Sequence, residues 1–179
     1  MVSINANREV NSPVDRVWEI ISDVDKDPKY WKGISSIRNI RKEPDLIERV
    51  ATVGIIGHEG HQIIKLNPKK SIDLTMTKGP LKGYRVIRLI PLESGKKTNI
   101  DVVWNFEFSK VPAFARDFVK AQIEEITTVA LEKISMIAEK HVKKILPLRV
   151  PKNPTSLGAP LKGICELELE HAKGERKGA

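Results

Sequence analysis

The segment from Thr98 to Phe108 alternates sharply: Ile100, Val102, Trp104, Phe106 and Phe108 point one way, Asn99, Asp101, Asn105 and Glu107 the other. A period of two describes a strand with one face on a core and one face in water. A sheet built from such strands needs a cover, and the next segment supplies one. Spaced at about 100° per residue, the stretch Pro112–Ile145 gathers Ala115, Phe118, Val119, Ile123, Ile126, Val129, Ala130, Ile134 and Ile137 on one broad face. Asp117, Glu124 and Glu132 lie opposite, while Gln122 and Lys133 are polar residues inside the apolar arc. One long helix laid on a half-wet sheet is an α+β arrangement.

Upstream, the elements follow in a clear order. Val2–Val10 reads as a strand. Ser12-Pro13-Val14-Asp15 reads as an N-cap serine, a first-turn proline and a first-turn acid, followed by the stripe Val14, Val17, Trp18, Ile21. Asp23, Asp25, Asp27 and Pro28 end this short helix, because the residue before a proline avoids helical dihedrals. Six β-rich runs come next: 36–42, 46–56, 61–66, 72–77, 84–92 and 98–108. Turn residues such as Asn67-Pro68, Gly79-Pro80 and Ser94-Gly95 separate them, and connections this short favour an antiparallel meander of about seven strands in all. The expected organisation is one folded domain over 1–145 and a Pro/Gly-rich, extended or disordered tail over 146–179.

Composition removes several classes. The chain has 179 residues, enough for one domain with a core. No apolar run approaches the roughly 20 residues of a membrane-spanning helix, and the first residues lack a signal-peptide pattern, so a cytoplasmic location is expected. Cys165 stands alone, which excludes an intramolecular disulfide. His58-Glu59-Gly60-His61 places its histidines three apart between strands, the wrong spacing for a helical metal motif, and reads as a hairpin tip. The aspartates after the first helix lack the pattern of a calcium loop. No nucleophile elbow or phosphate-cradling glycine loop occurs. Neither a metal nor any other cofactor is expected.

The residues 12–23, SPVDRVWEIISD, with Pro28-Lys29-Tyr30-Trp31 shortly after, resemble the opening of the helix-grip (START/Bet v 1-like) superfamily. The resemblance points to the branch of polyketide cyclase/dehydrase and lipid-transport-like or coenzyme-Q-binding-like proteins. It extends in element order over about 1–145. What it implies is a curved sheet gripping a C-terminal helix around an apolar cavity. Members bind lipids, quinones, polyketides or hormones, and a minority catalyse a reaction.

The residues then suggest where a ligand sits. Trp104 and Phe106 on the last strand should face Phe118, Gln122 and Ile126 on the long helix, with Trp31 and Tyr84 closing a mouth. Gln122 would orient a polar end. The expected function is binding or carriage of a hydrophobic small molecule, such as a lipid, isoprenoid quinone or polycyclic compound. A cyclase or hydrolase using the same cavity ranks below it, since no catalytic set is recognisable. The net charge of +8 permits peripheral contact with an anionic membrane. Nucleic acid or a ribosome is less favoured, because the wet sheet face lacks stacking aromatics. Arg85 and Arg88 count here among surface cations.

Overall fold

The computed structural model describes residues 1–54 and 57–145, with side chains through 140. The tail over 146–179, Cys165 and the side chain of His141 lie outside the described residues.

Seven strands form one antiparallel sheet: β1 (Val2–Val10), β2 (Ile34–Lys42), β3 (Leu46–Val53), β4 (His58–Asn67), β5 (Ser71–Lys78), β6 (Leu81–Leu92) and β7 (Lys97–Phe108). Their order across the sheet is β1-β7-β6-β5-β4-β3-β2. Consecutive hairpins generate all of it except β1, which pairs with β7 from Val2 opposite Phe106 to Val10 opposite Thr98. The chain therefore crosses from one sheet edge to the other between β1 and β2. It does so through α1 (Val14–Ile21), a 3-10 turn (Val24–Lys26) and α2 (Asp27–Tyr30). The long helix α3 (Arg116–Ile145) closes the covered face.

The alternation in β7 has the consequence the sequence implies: Ile100, Val102 and Phe106 are fully buried. They meet Ile64, Ile72, Leu74, Ile87 and Leu89 from neighbouring strands, and Val119, Ile123, Ala130, Leu131, Ile134 and Ala138 from α3.

Three local expectations need correction. Ser12 does not cap α1; Pro13 holds the cap position, with no side-chain hydrogen bond, and the Ser12 hydroxyl is buried without a partner. Ser12 instead gives its carbonyl to the Thr98 hydroxyl at 2.8 Å, tying the start of α1 to β7. His58 and His61 do not sit at a hairpin tip, because β4 already begins at His58, where it pairs with Val53. Third, the aspartates after α1 do more than stop a helix. Asp27 opens α2 and is buried.

Candidate functional site

Three polar residues occupy inward positions of the strands. On β3, Arg49 is in phase with Ile47 and Ala51; on β4, Gln62 is in phase with Ile64; on β6, Arg85 is in phase with Ile87 and Leu89. Because side chains alternate across a strand, each of the three is carried to the covered face of the sheet rather than into water. Arg49 is 0% exposed, Arg85 1%, and Asp27, brought in from below by α2, 4%.

The two arginines are treated differently by their surroundings. Arg49 uses its whole fork: Nε donates to Gln62 Oε1 at 2.8 Å, Nη1 to the Val24 carbonyl at 2.8 Å and Nη2 to Asp27 Oδ2 at 2.6 Å. Arg85 donates no hydrogen bond among the described residues. Its Nη2 lies 3.8 Å from Asp27 Oδ2, too far for one, and its Nε is buried without a partner. What holds it is aromatic. The guanidinium carbon is 4.1 Å from the centre of the Trp31 ring and 5.2 Å from that of Trp104, whose rings meet edge-on at 6.2 Å. Burial pushes the Arg85 guanidinium down to about 10; Asp27 pulls it up and Arg49 pushes it further down. It stays charged at neutral pH.

Trp104 is fixed in turn. Its indole N–H donates to Thr127 Oγ1 at 3.1 Å, and Thr127 donates to the Ile123 carbonyl at 2.7 Å. Thr127→Val keeps the shape but removes the acceptor, so an expected loss of about 1 kcal/mol follows from the missing hydrogen bond. Urea unfolding checks it, and near-ultraviolet circular dichroism of the indole should change with it.

These groups border a cavity of about 60 Å³ between sheet and α3. Its walls are Trp31, Leu74, Met76, Leu81, Trp104 and Ile123, with Gly33, Ile34, Val53 and Ile126 around them and, among the described residues, Gln62 and Arg85 as the only polar side chains. Ile34, Val53, Trp104 and Ile126 are the partly exposed members of the lining, and the three aliphatic ones mark its open side. The polar equipment is mostly donor. Gln62 already accepts from Arg49 through its oxygen and adds amide N–H groups, and Arg85 has only N–H to give. The volume is well below the roughly 300–1,000 Å³ of a site that swallows a drug-sized molecule, so in this form it admits one end of a ligand.

Of the residues the sequence singles out, Trp31, Trp104 and Ile126 come together at this cavity. Phe106 does not line it; it is buried beside it, edge-on to Trp104 and Phe108 at 6.4 and 5.4 Å. Tyr84 points to the outer face, 45% exposed, and its hydroxyl accepts from Asn105 Nδ2 at 2.9 Å. Strand phase explains this, since Tyr84 neighbours the inward Arg85. Phe118 is 62% exposed, and Gln122 donates to Glu125 at 3.2 Å. The buried stripe of α3 runs through Val119, Ile123, Thr127, Ala130 and Ile134, so Phe118 and Gln122, four apart, fall on its flank. Lys133 reaches the rim and donates to the Lys29 carbonyl at 3.3 Å. Arg85 is not the surface cation expected of it. Arg49, Gln62, Arg85 and Asp27 are the residues sequence reasoning missed. Their signal was present as polar residues in the apolar phase of a strand.

A seven-stranded antiparallel sheet wrapped on a C-terminal helix, with a short helix after the first strand, is the helix-grip fold. The family model described as "Polyketide cyclase / dehydrase and lipid transport" matches residues 1–137, and the chain belongs to that family. Solved structures agree on the fold. The Zhui aromatase/cyclase of a Streptomyces species superposes with a TM-score of 0.68 at 16% identity, covering 79% of this chain and 95% of that one. A Thermus thermophilus protein gives 0.66 at 14% identity, over 78% and 99%. A START superfamily protein of Mycobacterium smegmatis gives 0.55 at 14% identity, over 80% and 99%. A search among curated proteins finds no relative. Among the described residues no group of three or more metal-ligating side chains is assembled, and no helix is long and apolar enough to cross a membrane.

Proposed function

We propose that this chain binds a hydrophobic small molecule between the sheet and α3, entering past Ile34, Val53 and Ile126. The observation that carries this reading is the cavity itself: an apolar-walled space between sheet and α3, partly open and bordered by the polar groups of Gln62 and Arg85. Packed interiors leave few voids larger than a water molecule, and an apolar ligand gains roughly 25 cal/mol for each Å² it buries there. The family description, which names lipid transport alongside cyclase and dehydrase activity, fits the same use of the space. Contacts with an anionic membrane, nucleic acid or a ribosome find no support in the comparisons and form no part of the reading.

Titration with decanol, followed by calorimetry, tests it. Wild type is expected to bind, and Ile126→Trp, which fills the open side from a partly exposed position, to bind at least about tenfold more weakly at an unchanged melting temperature. Equal binding by the two proteins would count against the cavity.

A cyclase reading uses the same space and has one observation in its favour. A buried guanidinium with unspent donors is placed to stabilise an oxyanion forming in the cavity. Turnover of a poly-keto substrate by wild type, lost in Arg85→Met, would move the protein into that class.

A further inference from the structure

Arg85 is costly where it stands. A buried charge without full hydrogen bonding opposes folding by several kcal/mol in general, and buried polar groups in native proteins almost always have partners. Here two buried guanidiniums share one buried carboxylate, and that carboxylate is hydrogen-bonded to Arg49 at 2.6 Å. The cluster thus carries one positive charge in excess, and the excess lies on the arginine that borders the cavity. Aromatic faces on Trp31 and Trp104 ease the cation's burial but accept none of its N–H groups in the plane of the fork. Gln62 adds further N–H groups, and neither side chain brings a negative charge. Water in the cavity can take hydrogen bonds there but cannot balance the charge. A group that does both, and is compact enough for a space of about 60 Å³, is a carboxylate, whose two oxygens match the guanidinium fork.

From this we infer that the ligand is an apolar monocarboxylate, its head on Arg85 and Gln62 and its hydrocarbon body leading out between Ile34, Val53 and Ile126. The inference rests on the proposed binding reading and specifies the polar end of its ligand. The small volume suits it: the space accepts a head group and the first carbons, and the remainder continues through the open side.

The test compares decanoate with decanol, which share a chain and differ in the head. Calorimetry at neutral pH is to be run on wild type, Arg85→Met and Arg85→Lys, each with a melting curve as a check of folding. Wild type is expected to bind decanoate at least about tenfold tighter than decanol, the scale that separates a charge-assisted hydrogen bond from a neutral one. Arg85→Met is expected to lose that preference, because decanoate loses far more affinity than decanol does, and to melt no lower than wild type. Arg85→Lys is expected to keep part of the preference. Equal affinities in wild type, or a preference that survives in Arg85→Met, would overturn the carboxylate and leave the apolar site standing. Failure of both probes to bind wild type would overturn the binding reading and this inference together.

Discussion

Asp27→Asn should lower the unfolding free energy by about 3–5 kcal/mol, the usual cost of removing one partner from a buried ion pair. The substitution is nearly isosteric, so the loss would be electrostatic. Asp27 accepts from Arg49 at 2.6 Å and is the carboxylate that Arg85 faces, at 3.8 Å. With asparagine there, two guanidiniums would sit buried with no anion between them. The damage should be local at first. Asp27 opens α2, whose next turn delivers Trp31 to the cavity, and Arg49 also holds the Val24 carbonyl in the preceding 3-10 turn. Tryptophan fluorescence should therefore report loosening around Trp31 at urea concentrations below the main transition. A double-mutant cycle sharpens the test. In an Arg85→Met background the same Asp27→Asn change should cost less, by roughly 0.5–3 kcal/mol, because one of the stranded cations is already gone. Equal costs in both backgrounds would mean that Arg85 does not feel Asp27, and the charge excess assigned to the cluster would be wrong.

The same residues show how far the sequence is legible. The alternation of β7 and the apolar arc of α3 announce a half-covered sheet and its cover, and both form as expected. Burial on those elements is a matter of period, and period is written in one dimension. The site is a matter of which strands become neighbours. Arg49 lies opposite Gln62 on β4, and Arg85 opposite Leu74 on one side and Trp104 on the other. Asp27 arrives from a connection that crosses the whole width of the sheet. An arginine in a strand looks like a surface cation until the carboxylate that compensates it is known, and Asp27 lies 22 residues from Arg49 in sequence. Phase would have flagged them even so: Arg85-Val86-Ile87-Arg88-Leu89 puts Arg85 with Ile87 and Leu89, and Arg88 on the other face. Phe118 and Gln122 mislead for a related reason. A broad apolar arc fixes a helix face only to within a residue or so, and Thr127, the polar residue at the centre of the true stripe, was invisible to an argument counting only apolar positions. Tyr84, expected at the mouth, sits in the strand phase next to Arg85 and so on the outer face.

Gly83→Ala should destabilise the fold on the same scale as Asp27→Asn, by a different mechanism. Gly83 lies on β6 between Met76 of β5 and Phe106 of β7, in the sheet row beside the Arg85–Trp104 pair. Its φ is +142°, a region that residues with a side chain rarely adopt, and a Cβ there would fall 2.1 Å from the Asn105 carbonyl oxygen and 2.6 Å from the Phe106 Cα. Both are backbone atoms of the neighbouring strand, so no rotamer change relieves the overlap. β6 and β7 would have to part, or Gly83 would have to change its dihedrals and break register. Backbone strain and overpacking each contribute roughly 1–3 kcal/mol, together on the order of 4 kcal/mol. Gly95→Ala is the control that separates the two causes. Its φ of +85° is also positive, but nothing lies within 4 Å of the added carbon, so only the dihedral strain should appear. Urea unfolding of the two variants should differ by the cost of the clash. Hydrogen exchange should show faster opening of the amides that pair Arg85 with Trp104 in Gly83→Ala alone. If the two alanine variants lose equal stability, the close approach of β6 to β7 at this row is not what requires glycine.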